Sequence, residues 1–379
     1  MKMLKIFTTL IIALSLCVGA VWAGDVEDAD TALDKKDYVT ALKKYKSAAA
    51  KNDAYAQFQV GAFYSDGLVV KRDYAEAVRW YKLAAAQGSA DAQYNLGVIY
   101  FNGQGVLQDY AEAMRWYKLA AAQGYANAQY NLGLMHYYGQ GVVQDYAEAM
   151  RWYKLAAAQG VVNAQYNLGF MYNSGRGVVQ DYVEAVRLYK LAAAQGSADA
   201  QHDLGLMHYN GQGVVQDYAE ALRLNKLAAA QGHAMAQFNL GVMNAKGQGV
   251  VQDYAEAVRW YKLAAAQGDV RAHTNLGVIY FNGQGVLQDY AEAMRWYKLA
   301  AAQGVVNAQY NLGLMYKNGQ GVVQNYVQAH MWFNIAAVKG YVDAVKNRDM
   351  ITTKMTTEQI GKAQKLAREC EARNYKNCD

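Results

Sequence analysis

Residues 91–124 read DAQYNLGVIYFNGQGVLQDYAEAMRWYKLAAAQG, and closely similar strings return every 36 residues along a chain of 379. The glycine of the Leu-Gly pair falls at Gly97, Gly133, Gly169, Gly205, Gly241, Gly277 and Gly313, with Val60-Gly61 one period earlier. Within one copy, Ala92, Leu96, Ile99 and Tyr100 lie on one face of a helix. Asn102-Gly103-Gln104-Gly105 then forms a turn whose glycines can take positive φ. A second helix begins at Asp109 and closes at Gly124, the place for a C-terminal cap glycine. Asp109 and Glu112 stand at N-cap and N3, which predicts an acidic variant of the capping box. Each period is therefore a helix–turn–helix, and units of this kind stack into one continuous core. Gly97 lies inside the first helix, where glycine costs about 1 kcal/mol relative to alanine. Repetition of that cost predicts close approach of the second helix, with Trp116 and Tyr117 filling the wedge between units.

Composition agrees with an all-helical chain. It contains no proline and 34 glycines, most of them periodic, and apolar residues make up 53%. The net charge of +5 is no nucleic-acid footprint. A full repeat balances Asp109 and Glu112 against Arg115 and Lys118, and no basic stripe emerges. Nucleic acid is therefore excluded as the expected partner.

Residues 1–23 read as a secretory signal peptide. Lys2 and Lys5 supply the positive end, and Ile6 to Val18 is an apolar run too short to span a bilayer. Cleavage is placed after Ala23, so no stable membrane insertion is expected afterwards, and the location is periplasmic or secreted. Lipoprotein processing at Cys17 is disfavoured by Leu16 before it. Only Cys370 and Cys378 then remain, and an even count in an exported chain points to a disulfide pinning the C-terminal cap.

The run Ala92-Gln93-Tyr94-Asn95-Leu96-Gly97, with Tyr100, Gly103-Gln104-Gly105-Val106, Asp109, Ala113, Trp116-Tyr117, Ala120-Ala121 and Gly124, resembles the Sel1-like repeat family, a relative of the tetratricopeptide repeat. The resemblance covers about three quarters of the chain. It implies a right-handed α-solenoid of stacked helix-turn-helix repeats that serves as a scaffold or adaptor for protein complexes. It also implies that some relatives are exported and act in the bacterial envelope or at host contact. The domain expectation is a signal peptide over 1–23, an N-terminal half repeat or cap over 24–53, eight repeats over 54–340, and a C-terminal helical cap over 341–379. Asp37 to Lys51 reads as a lone second helix, and Thr356 with Gln359 as a capping box for the last one. Arg348 and Asp349, replacing Leu and Gly, suit a terminal cap facing water.

No catalytic residue, metal site or cofactor is assigned. The turn glycines lack the Lys-Ser/Thr ending of a phosphate loop, and no nucleophile motif or His-Glu-x-x-His occurs. His136 and His208 occupy a slot that is tyrosine in most units and read as polar-tipped fillers. The alternative function is an envelope enzyme or enzyme inhibitor acting on cell-wall material or β-lactams. Relatives linked to β-lactams carry a cysteine pair in each repeat, and this chain has none there.

The candidate binding residues come from comparing units. Tyr94 and Phe101 share a face of the first helix away from Leu-Gly. Their counterparts include Tyr130 and Tyr137, Tyr166 and Phe170, Tyr209, Phe238, Phe281 and Tyr310. In related repeats this helix lines the concave face, so the stripe is expected to take a protein or peptide partner. The competing reading is that these rings pack between adjacent units. Residues 95–124 and 275–304 are identical, which argues against a single tailored active site.

Two departures from the pattern stand out. Val69 occupies the second turn-glycine position, so that turn is expected to differ. Around residues 222–246, Leu224-Asn225 replaces Trp-Tyr and Asn244 replaces Tyr, which predicts the softest packing of the array. Hydrogen exchange checks this: amides over 200–260 should exchange faster than those of the flanking repeats, and uniform protection would contradict it.

Overall fold

A computed structural model describes residues 24–378 of the chain. The leader expected over 1–23, with Cys17, lies outside the described residues. Two compact units divide at residues 181 and 182. The first runs α1 (24–34), α2 (Tyr38–Ala50), α3 (Ala54–Asp66), α4 (Tyr74–Ala86), α5 (Ala90–Asn102), α6 (Tyr110–Ala122), α7 (Ala126–Tyr138), α8 (Tyr146–Ala158) and α9 (Val162–Ser174). The second runs α10 (Tyr182–Ala194), α11 (Ala198–Asn210), α12 (Tyr218–Ala230), α13 (Ala234–Lys246), α14 (Tyr254–Ala266), α15 (Val270–Asn282), α16 (Tyr290–Ala301), α17 (Val306–Asn318), α18 (Tyr326–Val338), α19 (Val342–Thr352) and α20 (Thr357–Ala372). Every regular element among the described residues is a helix. Packing is chiefly between helices consecutive in sequence, with α20 folding back onto α18.

The glycine inside each leading helix marks the tightest contact of the hairpin. In α7 a methyl group on Gly133 would stand 2.5 Å from the Tyr153 ring of α8. Tyr153 is fully buried, and its counterparts Tyr117, Tyr261, Tyr297 and Phe333 are 0–3% exposed. Burying each such ring contributes about 1.5–3 kcal/mol, which outweighs the propensity cost of the glycine. The adjacent tryptophan reaches the other way: Trp116 joins the cluster that Ala92, Leu96 and Ile99 of its own leading helix form with Val78, Tyr81 and Ala84 of the preceding hairpin.

The turn glycines do two jobs. Gly103 ends α5 in the left-handed region at φ 68°, and its N–H donates to Ile99 O. Gly105, also left-handed at φ 69°, would set a methyl group 2.5 Å from Tyr74 Cβ. The turn thus rests on the start of the preceding hairpin's trailing helix. Val69 corrects the expectation that its turn differs. Val69 adopts φ 53°, and the bonds Leu68 N–H to Phe63 O (3.2 Å) and Asp73 N–H to Tyr64 O (2.9 Å) match those of Gln104 to Ile99 O and Asp109 to Tyr100 O. Repeat packing holds a β-branched residue in a conformation costing roughly 1–2 kcal/mol.

Two further expectations meet the structure differently. No reciprocal box forms at α6: Asp109 accepts from the N–H groups of Ala111 and Glu112, but Glu112 pairs with Arg115 at 3.0 Å. A reciprocal box is not needed, because the Asp109 N–H already donates to Tyr100 O. The box at Thr356 and Gln359 is present in both directions. Nor is α2 alone. Helix α1 buries Ala29 and Ala32 against Ala41 and Tyr45, and Lys44 and Lys51 of the α2 region pair with Asp28 and Asp25 at 2.8 and 2.7 Å. The array therefore opens on a two-helix hairpin, held by charge where later hairpins use a glycine. At the other end, Cys370 and Cys378 stand at disulfide distance, with sulfurs 1.96 Å apart, inside the cluster that includes Trp332 and Phe333.

Two substitutions separate contact from propensity. Gly133→Ala is expected to destabilise by roughly 1–3 kcal/mol, since Tyr153 has nowhere to move. Gly361→Ala in α20, where nothing lies within 4 Å of the added methyl, should instead stabilise by about 1 kcal/mol. Calorimetry showing the same shift for both would remove the close-contact account.

Candidate partner-binding surface

Within each of the two units the residues of the predicted stripe are half-buried rings built into the packing of the hairpins. Tyr94, Phe101, Tyr130, Tyr137, Tyr166, Phe170, Tyr209, Phe238, Phe281 and Tyr310 are all intermediate in exposure. The first ring of a leading helix leans on the buried ring of its hairpin: Tyr94 on Tyr117 at 5.9 Å, Tyr130 on Tyr153 at 5.9 Å, Phe238 on Tyr261 at 5.7 Å and Tyr310 on Phe333 at 5.7 Å between centroids. The last ring meets the first tyrosine of the trailing helix edge-on. Phe101, Tyr209 and Phe281 each lie 5.1 Å from Tyr110, Tyr218 and Tyr290, and Tyr137 lies 5.2 Å from Tyr146. Some rings are covered again from the next hairpin: Tyr94 stacks with Tyr125 at 5.0 Å, Tyr310 meets Tyr341 at 4.8 Å, and the Arg271 guanidinium lies 4.0 Å over Phe238.

The row opens into a groove in the first unit. A cavity of about 240 Å³ is lined by Tyr137, Tyr138, Tyr153, Tyr166, Asn167 and Phe170. Arg176 stands beside it, its guanidinium carbon 5.6 Å from the Tyr137 ring, 5.7 Å from Tyr146 and 5.5 Å from Phe170, with its Nη1 hydrogen-bonded to the Tyr137 hydroxyl. Stacking of this kind fixes a guanidinium while leaving donors for an anion. Sequence comparison missed Arg176. Its signal was available: Arg176 replaces the glutamine found at Gln104, Gln140, Gln212 and Gln248 in the same turn.

Polar order between hairpins was also missed. Gln93 of the recurring Ala-Gln pair is buried; its Nε2 donates to Ala85 O at 3.3 Å, and its Oε1 accepts from Gln123 Nε2 at 2.8 Å. Gln129 and Gln159, and Gln237 and Gln267, repeat the exchange. Each relay adds a second donor to a carbonyl at the end of a trailing helix, as at Ala85 O, which also accepts from the Gly88 N–H at 3.0 Å.

The second unit carries a local exception. His202 of α11 is buried, its ring 4.7 Å from that of His233, and its Nδ1 lies 3.4 Å from Asn225 Oδ1. His233 caps α13, with Nδ1 accepting from the Ala236 N–H at 3.2 Å, and its Nε2 lies 3.3 Å from Asp199. Burial, reinforced by the neighbouring His233, pushes the His202 pKa down to about 4. Desolvation likewise lowers His136, as expected for a filler of a tyrosine slot. Among the described residues no group of three His, Cys, Asp or Glu side chains is placed to hold a metal ion, and no helix is long and apolar enough to cross a membrane.

The family model described as Sel1 repeat matches residues 54–89, 90–125, 126–161, 162–197, 198–233, 234–269, 270–305 and 306–341. No curated protein matches the chain. Among solved structures, the chain is similar to a protective antigen present in uropathogenic Escherichia coli strains displaying an SLR fold, at 31% identity and TM-score 0.66, covering 95% of this chain and 86% of that one. It is similar also to a Sel1 repeat protein from Oxalobacter formigenes, at 34% identity and TM-score 0.63, covering 82% and 90%.

The buried His202 makes a pH test. Its folded pKa lies below the ordinary 6.5, so between those values the unfolded chain takes up the proton and the folded chain does not. Stability should therefore fall as pH drops from about 6.5 to about 4, by roughly 2–4 kcal/mol in the second unit. Urea melts at neutral and acidic pH should show this loss in the wild type and much less of it in His202→Phe. An equal loss in both would assign the effect elsewhere.

Proposed function

The chain belongs to the Sel1 repeat family, and from that membership we propose that it is a non-enzymatic interaction scaffold, exported to the bacterial envelope or beyond, with a signal peptide cleaved after Ala23. The Sel1 repeat mediates protein–protein interaction, and the observation that carries the reading to this chain is the groove at Tyr137, Tyr166 and Phe170. Half-buried aromatic rings with an arginine anchored across them are the side chains that dominate binding energy at interfaces. Arg176 adds selectivity for a partner with a carboxylate near its contact point. Repetition gives regularly recurring copies of the aromatic surface within each unit, so a long partner can engage more than one copy in turn. The exported location draws support from the lysine-led apolar leader, from the paired cysteines 370 and 378, and from likeness to an Escherichia coli protein described as a protective antigen.

Photocrosslinking in the native host tests it. A benzophenone side chain at Tyr138, which is 63% exposed at the rim of the groove, should give one discrete adduct. The same probe at Lys118 on a trailing helix should give none. Phe170→Ala should abolish the Tyr138 adduct while circular dichroism stays unchanged. Equal adducts from both positions, or an adduct indifferent to Phe170→Ala, would refute the placement.

A further inference from the structure

Through most of the array an aromatic ring lies over the leading helix's glycine, as Tyr81 does over Gly61, Tyr153 over Gly133 and Tyr261 over Gly241. In the hairpin of α11 and α12 that ring is missing, because Asn225 stands in its place. Asn225 is 1% exposed and folds back on its own helix, its Nδ2 donating to Ala221 O at 2.8 Å. The space further out is a cavity of about 140 Å³ between Asn225 and Asn239, with Leu206, Tyr209, Phe238 and Met243 among its walls. Apolar protein cavities of about 150 Å³ admit a benzene ring. The corresponding groove at Tyr153 does not include Met171, the counterpart of Met243, in its lining. Loss of the ring therefore lets the cavity reach the buried Met243.

The polar end is equally specific. The counterparts of Asn239 are Asn95, Asn131, Asn275 and Asn311, and they interact with the hydroxyls of Tyr81, Tyr117, Tyr261 and Tyr297. At Asn239 the chain supplies no such hydroxyl. The site keeps the walls and the polar partner of a tyrosine slot and lacks only the tyrosine. Its rim includes Leu206, 40% exposed, and the half-buried Tyr209 and Phe238 of the aromatic row.

We propose that this cavity receives one tyrosine side chain of a protein partner, with the ring between Leu206 and Met243 and the hydroxyl at Asn239. The proposal rests on the interaction reading above, and it assigns one contact by chemistry. A para-substituted phenol is the required shape: apolar along its sides, one donor at its tip, and tethered at the opposite end to a chain lying along the row.

The test uses the full chain and two probes, p-cresol and the capped peptide acetyl-Ala-Tyr-Ala-amide, read by NMR shifts of the Asn225 and Asn239 side-chain amides. Both probes should bind saturably and compete with each other. Asn225→Tyr, which restores the ring found in neighbouring hairpins, should weaken both by more than about tenfold and raise the melting temperature. Asn239→Leu should preserve toluene binding and remove the preference for p-cresol over toluene. Failure of p-cresol to saturate, binding unaltered by Asn225→Tyr, or p-cresol binding without peptide competition would each overturn the proposal. These readouts involve no cellular partner. A crosslink at Tyr138 alongside absent phenol binding would sink this site alone, and the reverse result would sink the groove at Tyr137 alone.

Discussion

The structure depends on an aromatic ring lying flat against a glycine that has no side chain to oppose it. At Gly133 and Tyr153 the separation leaves no room for a single methyl group. This contact sets the distance between the two helices of a hairpin, and so fixes where everything else on them can sit. It explains why Leu-Gly recurs with so little variation and why the ring may be Phe333 but carries no chemistry in either form. The helices around it are short, and several have little amphipathic character of their own. Their stability comes from packing rather than from local propensity.

Around that apolar contact runs a polar one. The glutamine relay from Ala85 O through Gln93 to Gln123 ties three successive helices together. Where His273 replaces the relay glutamine, Gln303 still approaches it, Nε2 to Nδ1, at 3.5 Å. Buried amides arranged this way are costly when half satisfied and specific when complete. They forbid sliding of one hairpin along the next, which a purely aliphatic interface would tolerate.

Most of this architecture was legible because repetition turns one sequence into many readings of the same environment. Helix ends, the close approach at Gly97 and the final capping box follow from residue types whose physics is local. The misses share one cause: they depend on who the neighbour is. Val69 keeps the turn because the surrounding contacts impose it, against the preference of the residue. Glu112 turns to Arg115 because a backbone carbonyl one helix away has already taken the Asp109 N–H. Asp25 and Asp28 hold α1 to α2 by charges that no periodic pattern marks. For the site, the ring positions could be read, but not how far the neighbouring side chains cover each ring. Arg176 and the cavity beside Asn225 were visible only as departures, and departures carry meaning once the regular contacts are known.

The turn glycine has a consequence for assembly. Gly105 rests on the hairpin before it, never on the one after, so each hairpin meets its two neighbours through different surfaces. Such a head-to-tail contact has no internal symmetry to close it, and a bare end would accept another copy's opposite end indefinitely. The chain ends differently at each terminus: α1 covers α2 through its aspartates, and α20 folds onto α18 beside Cys370 and Cys378. Each end helix therefore covers a surface of its neighbour by contacts other than the glycine–ring pair used between them, as the capping units of repeat arrays do.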